Sequence, residues 1–222
     1  PEHLDAARRV ARSSMVLLEN RGGVLPLKEG SRIALVGPFA DSRWDLIGSW
    51  VHFAEADRTS TFLDGLRARF GADRVTYARG CDPHKALEGG ISEAVAAAAK
   101  SDVVLVALGL NAGESGEAAS LASLALPDAQ RDLLESLKQT RKPIVILLVT
   151  GRPMELAREA ELADAVLLTW YPGTMAGEAL ADVVSGDYNP SGRLPMTFPR
   201  TVGQVPIHYD MKSTGRPADE SG

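Results

Sequence analysis

Residues 103–109 read VVLVALG, an uninterrupted apolar run with the length of a single β-strand. A run of this length without polar alternation is typical of a strand that is buried on both faces. Comparable runs occur at 33–38, 143–149 and 163–169, and a weaker one occurs at 74–78. The sequence therefore predicts a sheet of about five or six strands that is covered on both sides.

Helical patterns separate these strands. Apolar residues recur at three- and four-residue spacing at 3–20, 61–70, 91–100, 128–139 and 175–185. Strands that alternate with helices predict a parallel sheet, because parallel neighbours need a crossover connection. We therefore expect an α/β fold, a three-layer α/β/α sandwich with a mainly parallel sheet of about six strands, in which residues 1–222 form a single domain.

Composition and charge exclude several classes of protein. The chain has 222 residues, of which 45% are hydrophobic and 24% are charged, as in a folded protein with a substantial core. Its net charge of -5 offers no basic surface for nucleic acid. No apolar run approaches the roughly 20 residues of a membrane helix. We predict neither a nucleic-acid partner nor a membrane partner.

Cysteine and histidine content argues against a metal or disulfide framework. Cys81 is the single cysteine, so no intramolecular disulfide and no multi-cysteine metal site can form. The four histidines are scattered along the chain. We therefore predict no metal site.

The connection between residue 109 and the helix predicted at 128 is the strongest functional signal. It is far longer than the usual strand-to-helix connection of about 2–6 residues. In parallel sheets, ligands bind at the carboxyl ends of the strands, where this connection begins. It carries two carboxylates, Glu114 and Glu117. These glutamates are candidate site residues, although solvated acids on a mobile loop would give the same pattern.

Three chemistries can be tested against this connection. A dinucleotide site is excluded because Gly109, Gly113 and Gly116 have the wrong spacing and no helix follows them. A serine-hydrolase elbow is nearly matched around Ser115, with Asp182 and His208 following in the expected order. That elbow lacks its final small residue and its abrupt turn into a helix. Glycoside hydrolysis needs a carboxylic acid that protonates the leaving oxygen, and Glu117 could serve.

Residues 170–199 read WYPGTMAGEALADVVSGDYNPSGRLPMTFP. This segment closely resembles the C-terminal α/β-sandwich domain of glycoside hydrolase family 3. Residues 7–27, 33–38, 45–50 and 204–217 look similar as well, with the greatest likeness to bacterial periplasmic-type β-glucosidases. The resemblance covers essentially the whole chain, which has no counterpart to the (β/α)8 barrel that precedes this domain in the family.

The resemblance implies a division of labour between two domains. In the family the barrel supplies an aspartate nucleophile, and a loop of the sandwich domain supplies a glutamate that acts as general acid/base. The family pattern Gly-Glu-Ala-x-Ser-Arg-x-x-Leu-x-Leu-Pro resembles GEAASLASLALP at residues 116–127, which puts Glu117 at the acid/base position. Glu114 is the alternative. Leu121 stands where arginine is usual, and Ala125 where an acidic residue is common.

The function implied is that of the second domain of an exo-acting retaining β-glycosidase of the β-glucosidase type. The expected substrates are β-linked glucosides or short oligosaccharides, with no cofactor, and the expected partner is the barrel domain of the same polypeptide. A periplasmic or secreted location is implied too. We expect the isolated chain to be inactive because the nucleophile lies outside it.

Trp50 is a further candidate for sugar binding. Trp50 could line a sugar subsite by stacking, since an aromatic face suits the apolar face of a sugar, but a buried packing role is the more common use of such a residue.

The departures at Leu121 and Ala125 favour an alternative in which the chain is a non-catalytic carbohydrate-binding or scaffold module.

Overall fold

A mainly parallel sheet forms the centre of the structure, a computed structural model that describes residues 1–53 and 55–212. Its strands are β1 (Val16–Asn20), β2 (Ile33–Val36), β3 (Val75–Ala78), β4 (Val103–Gly109), β5 (Ile144–Val149) and β6 (Ala165–Leu168). They lie side by side in the order β1-β6-β5-β4-β2-β3. Strands β2 to β6 are parallel, and β1 pairs antiparallel with β6 at one edge. The predicted sheet is confirmed.

Helices cover both faces of the sheet. They are α1 (Glu2–Ser14), α2 (Arg43–Ile47), α3 (Phe62–Phe70), α4 (Gly90–Ala99), α5 (Asp128–Lys138), α6 (Ala157–Leu162) and α7 (Ala176–Ser185). Helices α1, α2, α3 and α7 pack on one face, where Leu35, Leu147 and Leu167 point. Helices α4, α5 and α6 pack on the other face, around Val106, Ile146 and Leu148. The three-layer α/β/α sandwich is confirmed.

The predicted helix at 3–20 is wrong over residues 15–20. Helix α1 ends at Ser14, Met15 is extended, and Val16–Asn20 form β1. The apolar spacing continues past residue 14, but these residues form the edge strand β1 and pair with β6, whose backbone groups on that side would otherwise lack partners. The short helix α6 was not predicted. The other predicted elements agree with the structure to within two residues at each end.

The order of the strands creates a crevice at one position. From β2 the chain goes to β3 on one side, and it then returns to β4 on the other side of β2. The connections that leave β2 and β4 therefore diverge, and they open a crevice at the carboxyl ends of these strands, where ligands bind in such folds. The ends of β2 and β4 lie so close together that a side chain does not fit between them. A Cβ on Gly37 would lie 2.3 Å from the Ala107 carbonyl oxygen.

Candidate active site

The long connection after β4, residues 110–127, borders this crevice, and we call it the site loop. Segments that follow four other strands contact it at the carboxyl edge, and the connection after β3 does so through His84. The segment that follows β2 and α2 approaches it through Ser49 and Trp50. The turn after β5 contributes Arg152, and the segment after β6 contributes Tyr171. The site loop is thus held by contacts from the connections of the other strands, while Glu117 and its neighbour Ala118 remain exposed.

The first half of the site loop is a rigid turn. Ala112–Glu114 form a single 3-10 turn, capped by the Asn111 side chain, whose oxygen accepts from the Gly113 amide at 2.9 Å. The Ala112 amide donates to Asp45 Oδ1 at 3.1 Å. Because Asp45 lies in α2, this bond fixes the turn to the segment that follows β2.

Glu114 belongs to this rigid turn. Its Oε2 accepts from the Asn111 amide at 2.9 Å and lies 3.0 Å from Nε2 of His84. Its side chain is 16% exposed. A carboxylate that caps a turn and faces a histidine is committed to holding the backbone, so the geometry favours a structural role for Glu114 over proton transfer.

Tyr171 holds the same turn from the side of β6. Its hydroxyl lies 3.2 Å from the Leu110 carbonyl oxygen, 3.0 Å from that of Asn111 and 3.1 Å from Ser115 Oγ. Burial raises the pKa of the Tyr171 phenol above its ordinary value, and the hydrogen bond with Ser115 opposes this only partly. The phenol therefore remains a neutral donor over the physiological pH range.

The structure does not assemble the serine-hydrolase residues. Ser115 is buried, and its hydroxyl faces Tyr171. The Asp182 carboxylate accepts from Arg8 Nε at 2.8 Å and from Arg12 Nη1 at 3.0 Å. Among the residues that the structure describes, neither Asp182 nor His208 hydrogen-bonds to Ser115. The relay of hydrogen bonds on which that chemistry depends is absent from this described part of the chain.

Glu117 differs from Glu114 in its exposure and in its contacts. It is exposed, and within residues 1–53 and 55–212 its carboxylate forms no hydrogen bond or ion pair. Its neighbours have unusual backbone geometry: Gly116 has φ +114° and Ala118 has φ +59°. A positive φ is uncommon for alanine and costs energy, and such strain concentrates at functional sites. Glu117 is therefore free to contact a ligand.

Trp50 lies beside the segment that carries Glu117. A Cβ on Gly116 would be 3.5 Å from Trp50 Nε1 and 3.1 Å from Ser49 Oγ. The expectation that Trp50 is buried is wrong, since it is 73% exposed. Leu46 is the buried residue of α2, and Gly48, at φ +88°, turns the chain outward before Trp50. The structure thus brings Trp50 and Glu117 to the same surface.

An open groove of about 430 Å³ adjoins this surface. Its lining includes Val51, His52 and Phe53, and the Phe53 side chain is fully exposed. Exposed aromatic side chains at the end of a crevice could stack on sugar rings. The groove and its exposed aromatic side chains therefore form one open side of a site and not an enclosed pocket.

Arg152 is the residue that sequence reasoning missed. It follows β5, and its Nη2 donates to the carbonyl oxygens of Glu114, at 2.6 Å, and of Ala119, at 2.8 Å. The Thr150 side chain fixes its backbone by accepting from the Arg152 amide at 3.1 Å. Its place directly after a buried strand, at the ligand-binding edge, was an available signal.

Over residues 1–53 and 55–212, no three side chains of His, Cys, Asp or Glu are grouped so as to hold a metal ion. Within the same residues, no helix combines the length and the apolar character that a membrane crossing requires. Cys81 is buried, and burial raises the pKa of its thiol to about 12.

Comparison with known proteins places this arrangement in a family. The family model described as "Glycosyl hydrolase family 3 C-terminal domain" matches residues 15–221. A protein named periplasmic beta-glucosidase from Salmonella typhimurium is 44% identical, over 97% of this chain and 31% of that protein. A beta-xylosidase from Formosa agariphila is 36% identical, over 94% of this chain and 30% of that protein.

Solved structures give the same answer. The crystal structure of beta-glucosidase from Listeria innocua in complex with isofagomine matches with a TM-score of 0.90 and 41% identity, over 96% of this chain and 29% of that one. The chain therefore spans about a third of the length of the relatives that it matches. On this evidence the chain belongs to the glycosyl hydrolase family 3 C-terminal domain family.

Proposed function

We propose that this chain is the second domain of an exo-acting retaining β-glycosidase of the β-glucosidase type, with residues 1–222 as one domain, and that Glu117 is its general acid/base. One observation carries the proposal: Glu117 has an exposed carboxylate without a partner among the described residues, on the loop that borders the crevice. The other glutamate of the site loop, Glu114, is engaged by the Asn111 amide and by His84.

A retaining mechanism needs a second carboxylate about 5–5.5 Å from the acid/base. We propose that an aspartate of a (β/α)8 barrel domain in the same polypeptide supplies it when the barrel docks on the carboxyl edge. Glu117 gives its proton to the glycosidic oxygen while the aspartate attacks the anomeric carbon. Glu117 then takes a proton from the water that releases the sugar. Trp50 stacks on the bound sugar.

Docking also supplies the conditions that an acid needs. A carboxyl group keeps its proton near neutral pH when it is buried beside another carboxylate. The exposed surface around Glu117 and Trp50 gains both features only when another domain covers it. The isolated chain has no nucleophile at the required distance, and we therefore propose that it is inactive by itself.

The proposed substrates are β-linked glucosides or short oligosaccharides, in keeping with relatives named beta-glucosidase and beta-xylosidase. Chemistry of this kind proceeds with carboxyl groups alone and needs no cofactor. The relative from Salmonella typhimurium is named a periplasmic protein, and we propose a periplasmic or secreted location for this one.

The test compares Glu117→Gln with Glu114→Gln in the full-length protein, using two substrates. Phenyl β-glucoside has a poor leaving group that needs a proton, and dinitrophenyl β-glucoside has a good one that does not. We expect Glu117→Gln to lower kcat/KM for the phenyl substrate by about 10³-fold, a typical contribution of acid catalysis, and to change the dinitrophenyl value by less than about 10-fold. Equal losses on both substrates would contradict the proposal.

Glu114→Gln is the matched control, since it changes the same side chain three residues away. A glutamine oxygen can still accept from the Asn111 amide, so we expect both kcat/KM values to stay within about threefold. A leaving-group-dependent loss in this variant would instead make Glu114 the acid.

The exposed side chains of Trp50 and Phe53 favour a second candidate function, a non-catalytic carbohydrate-binding or scaffold module. Leu121, at the position where the family pattern has arginine, packs against the core in this structure. This candidate predicts that Glu117→Gln leaves turnover of both glucosides unchanged. Replacing Trp50 by Ala would weaken binding of glucosides under either function, so the glutamine variant is the one that decides.

A further inference from the structure

Arg152 makes an unusual contact with the site loop. One nitrogen, Nη2, donates to two backbone carbonyl oxygens, those of Glu114 at 2.6 Å and Ala119 at 2.8 Å. These two carbonyls bracket residues 115–118, the segment that contains Glu117. Hydrogen bonds from a charged donor are shorter and stronger than neutral ones, so this contact fixes the two ends of the segment.

Within the described residues, the Arg152 side chain forms no hydrogen bond other than those to these two carbonyl oxygens. In the part of the chain that the structure describes, its guanidinium forms no ion pair, and its Nε is buried without a partner. Thr150 Oγ1 donates to the Arg152 carbonyl at 2.9 Å and accepts from its amide, which holds the backbone of the turn. A partly buried charge without a carboxylate partner costs free energy, and the two carbonyl oxygens of the site loop are the acceptors that offset this cost.

The segment between the two carbonyls has little support of its own. Its internal backbone bond, from the Ala119 amide to the Gly116 carbonyl oxygen, is long at 3.4 Å. Ala118 sits at φ +59°, a conformation that costs energy for a residue with a Cβ. Ser115, at the start of the segment, also bonds to the Tyr171 hydroxyl at 3.1 Å. Beyond Ser115, the bond from Arg152 to the Ala119 carbonyl oxygen joins the segment to the sheet, through the turn after β5.

We propose that Arg152 is a positioning residue for Glu117: by holding the carbonyls of Glu114 and Ala119, it presents the Glu117 carboxyl group to the glycosidic oxygen. This inference rests on the proposed function of Glu117. A positional error of about 1 Å in a catalytic group can cost about 100-fold in rate. Arg152 itself touches only the backbone, so its effect should be confined to the step that uses Glu117.

The test uses Arg152→Met in the full-length protein, because methionine has a similar length and no donors. We expect kcat/KM for phenyl β-glucoside to fall by about 10- to 100-fold and that for dinitrophenyl β-glucoside by less than about threefold. Arg152→Lys, which keeps the charge and a donor, should recover part of the loss. Arg158→Met is the matched control, since Arg158 pairs with Glu135 on the surface and should leave both values unchanged.

A double variant separates this inference from the proposed function. If Arg152 acts through Glu117, then Arg152→Met/Glu117→Gln should be no worse on the phenyl substrate than Glu117→Gln alone. Additive losses, or equal losses on both substrates, would show a general structural role and overturn the inference. Should Arg152→Met not fold, Arg152→Lys takes its place, and equal losses on both substrates in that variant would overturn the inference too. If Glu117→Gln itself shows no leaving-group dependence, the proposed function has failed, whatever Arg152 does.

Discussion

The two halves of the site loop are built in opposite ways. In residues 111–114 every amide donates a hydrogen bond: Asn111 to Glu114 Oε2, Ala112 to Asp45, and Gly113 and Glu114 to oxygens of Asn111. In residues 116–124, by contrast, the amide of Ala119 alone donates a hydrogen bond to another described residue, and its acceptor, the Gly116 carbonyl oxygen, lies 3.4 Å away. The first half is a fixed turn, and the second half is held mainly through its carbonyls by Arg152 and the Glu155 amide.

This difference explains how two identical side chains, three residues apart, can have different roles. A carboxylate that satisfies backbone donors stabilises a fold, and it does so best when it never changes its protonation state. A carboxyl group that moves a proton must instead face the substrate. In this chain the rigid half anchors the site loop to the rest of the fold, and the exposed half carries Glu117, the group proposed to transfer the proton.

The largest expected effect separates activity from stability. Replacing Glu117 by Ala in the full-length protein should lower turnover of phenyl β-glucoside by about 10³-fold. In the 222-residue chain it should change the free energy of unfolding by less than about 0.5 kcal/mol, because the side chain is exposed. Replacing Glu114 by Ala should cost about 1–2 kcal/mol of stability, since the Asn111 amide loses its acceptor. Steady-state kinetics and urea unfolding measure the two effects; a reversed ranking would refute the comparison.

Hydrogen exchange should show the next largest difference. Because the amides of residues 111–114 donate to oxygens of Asn111, Glu114 and Asp45 in one connected turn, they must open together. We expect them to exchange about 100-fold more slowly, relative to their intrinsic rates, than the amides of residues 120–124. Mass spectrometry of peptides from the 222-residue chain would measure both segments. Similar protection in the two halves would remove the basis of the comparison.

A smaller effect is expected from Tyr171→Phe, which removes the hydroxyl that contacts Leu110, Asn111 and Ser115. We expect the free energy of unfolding to fall by about 1–2 kcal/mol, because the buried Ser115 hydroxyl loses its partner. Tyr188→Phe is a matched control, since its hydroxyl contacts Ser191 in an exposed position. Equal losses in the two variants, measured by urea unfolding, would mean that Tyr171 does not anchor the rigid half.

The smallest expected effect concerns backbone strain in the exposed half. Ala118 has φ +59°, and glycine adopts this conformation without a steric penalty. Ala118→Gly should therefore raise the free energy of unfolding by about 0.5–1 kcal/mol. Ala112→Gly, in the rigid turn, should lower it by at least as much, because glycine adds entropy to the unfolded chain and removes the buried methyl group of Ala112. A loss of stability in the Ala118 variant would show that its backbone is not strained.

Much of the fold could be predicted from hydrophobic runs, because strands buried on both faces leave a strong local pattern. The run at 103–109 coincides with β4. Helix α1 was extended too far because the apolar spacing after Ser14 fits a helix as well as a strand, and pairing with β6 decides between them. A local sequence pattern carries no information about a pairing strand that lies more than a hundred residues away in the chain.

The candidate site could be predicted only in part. The position of Glu117 follows from the family resemblance and the length of the loop. The engagement of Glu114 by the Asn111 amide and His84, and the contact of Arg152 with two carbonyls, depend on tertiary geometry. The exposure of Trp50 depends on the turn at Gly48, which the sequence marks only as a glycine.

The most direct test of the account is azide rescue in the full-length protein. In Glu117→Ala with dinitrophenyl β-glucoside, the sugar should load onto the nucleophile, and its release should be slow because water lacks a base. Azide needs no base and should attack from the face that Glu117 served, restoring turnover and giving the β-glucosyl azide. We predict this product from Glu117→Ala and none from Glu114→Ala. Rescue of the Glu114 variant alone, or an azide product of α configuration, would contradict the account.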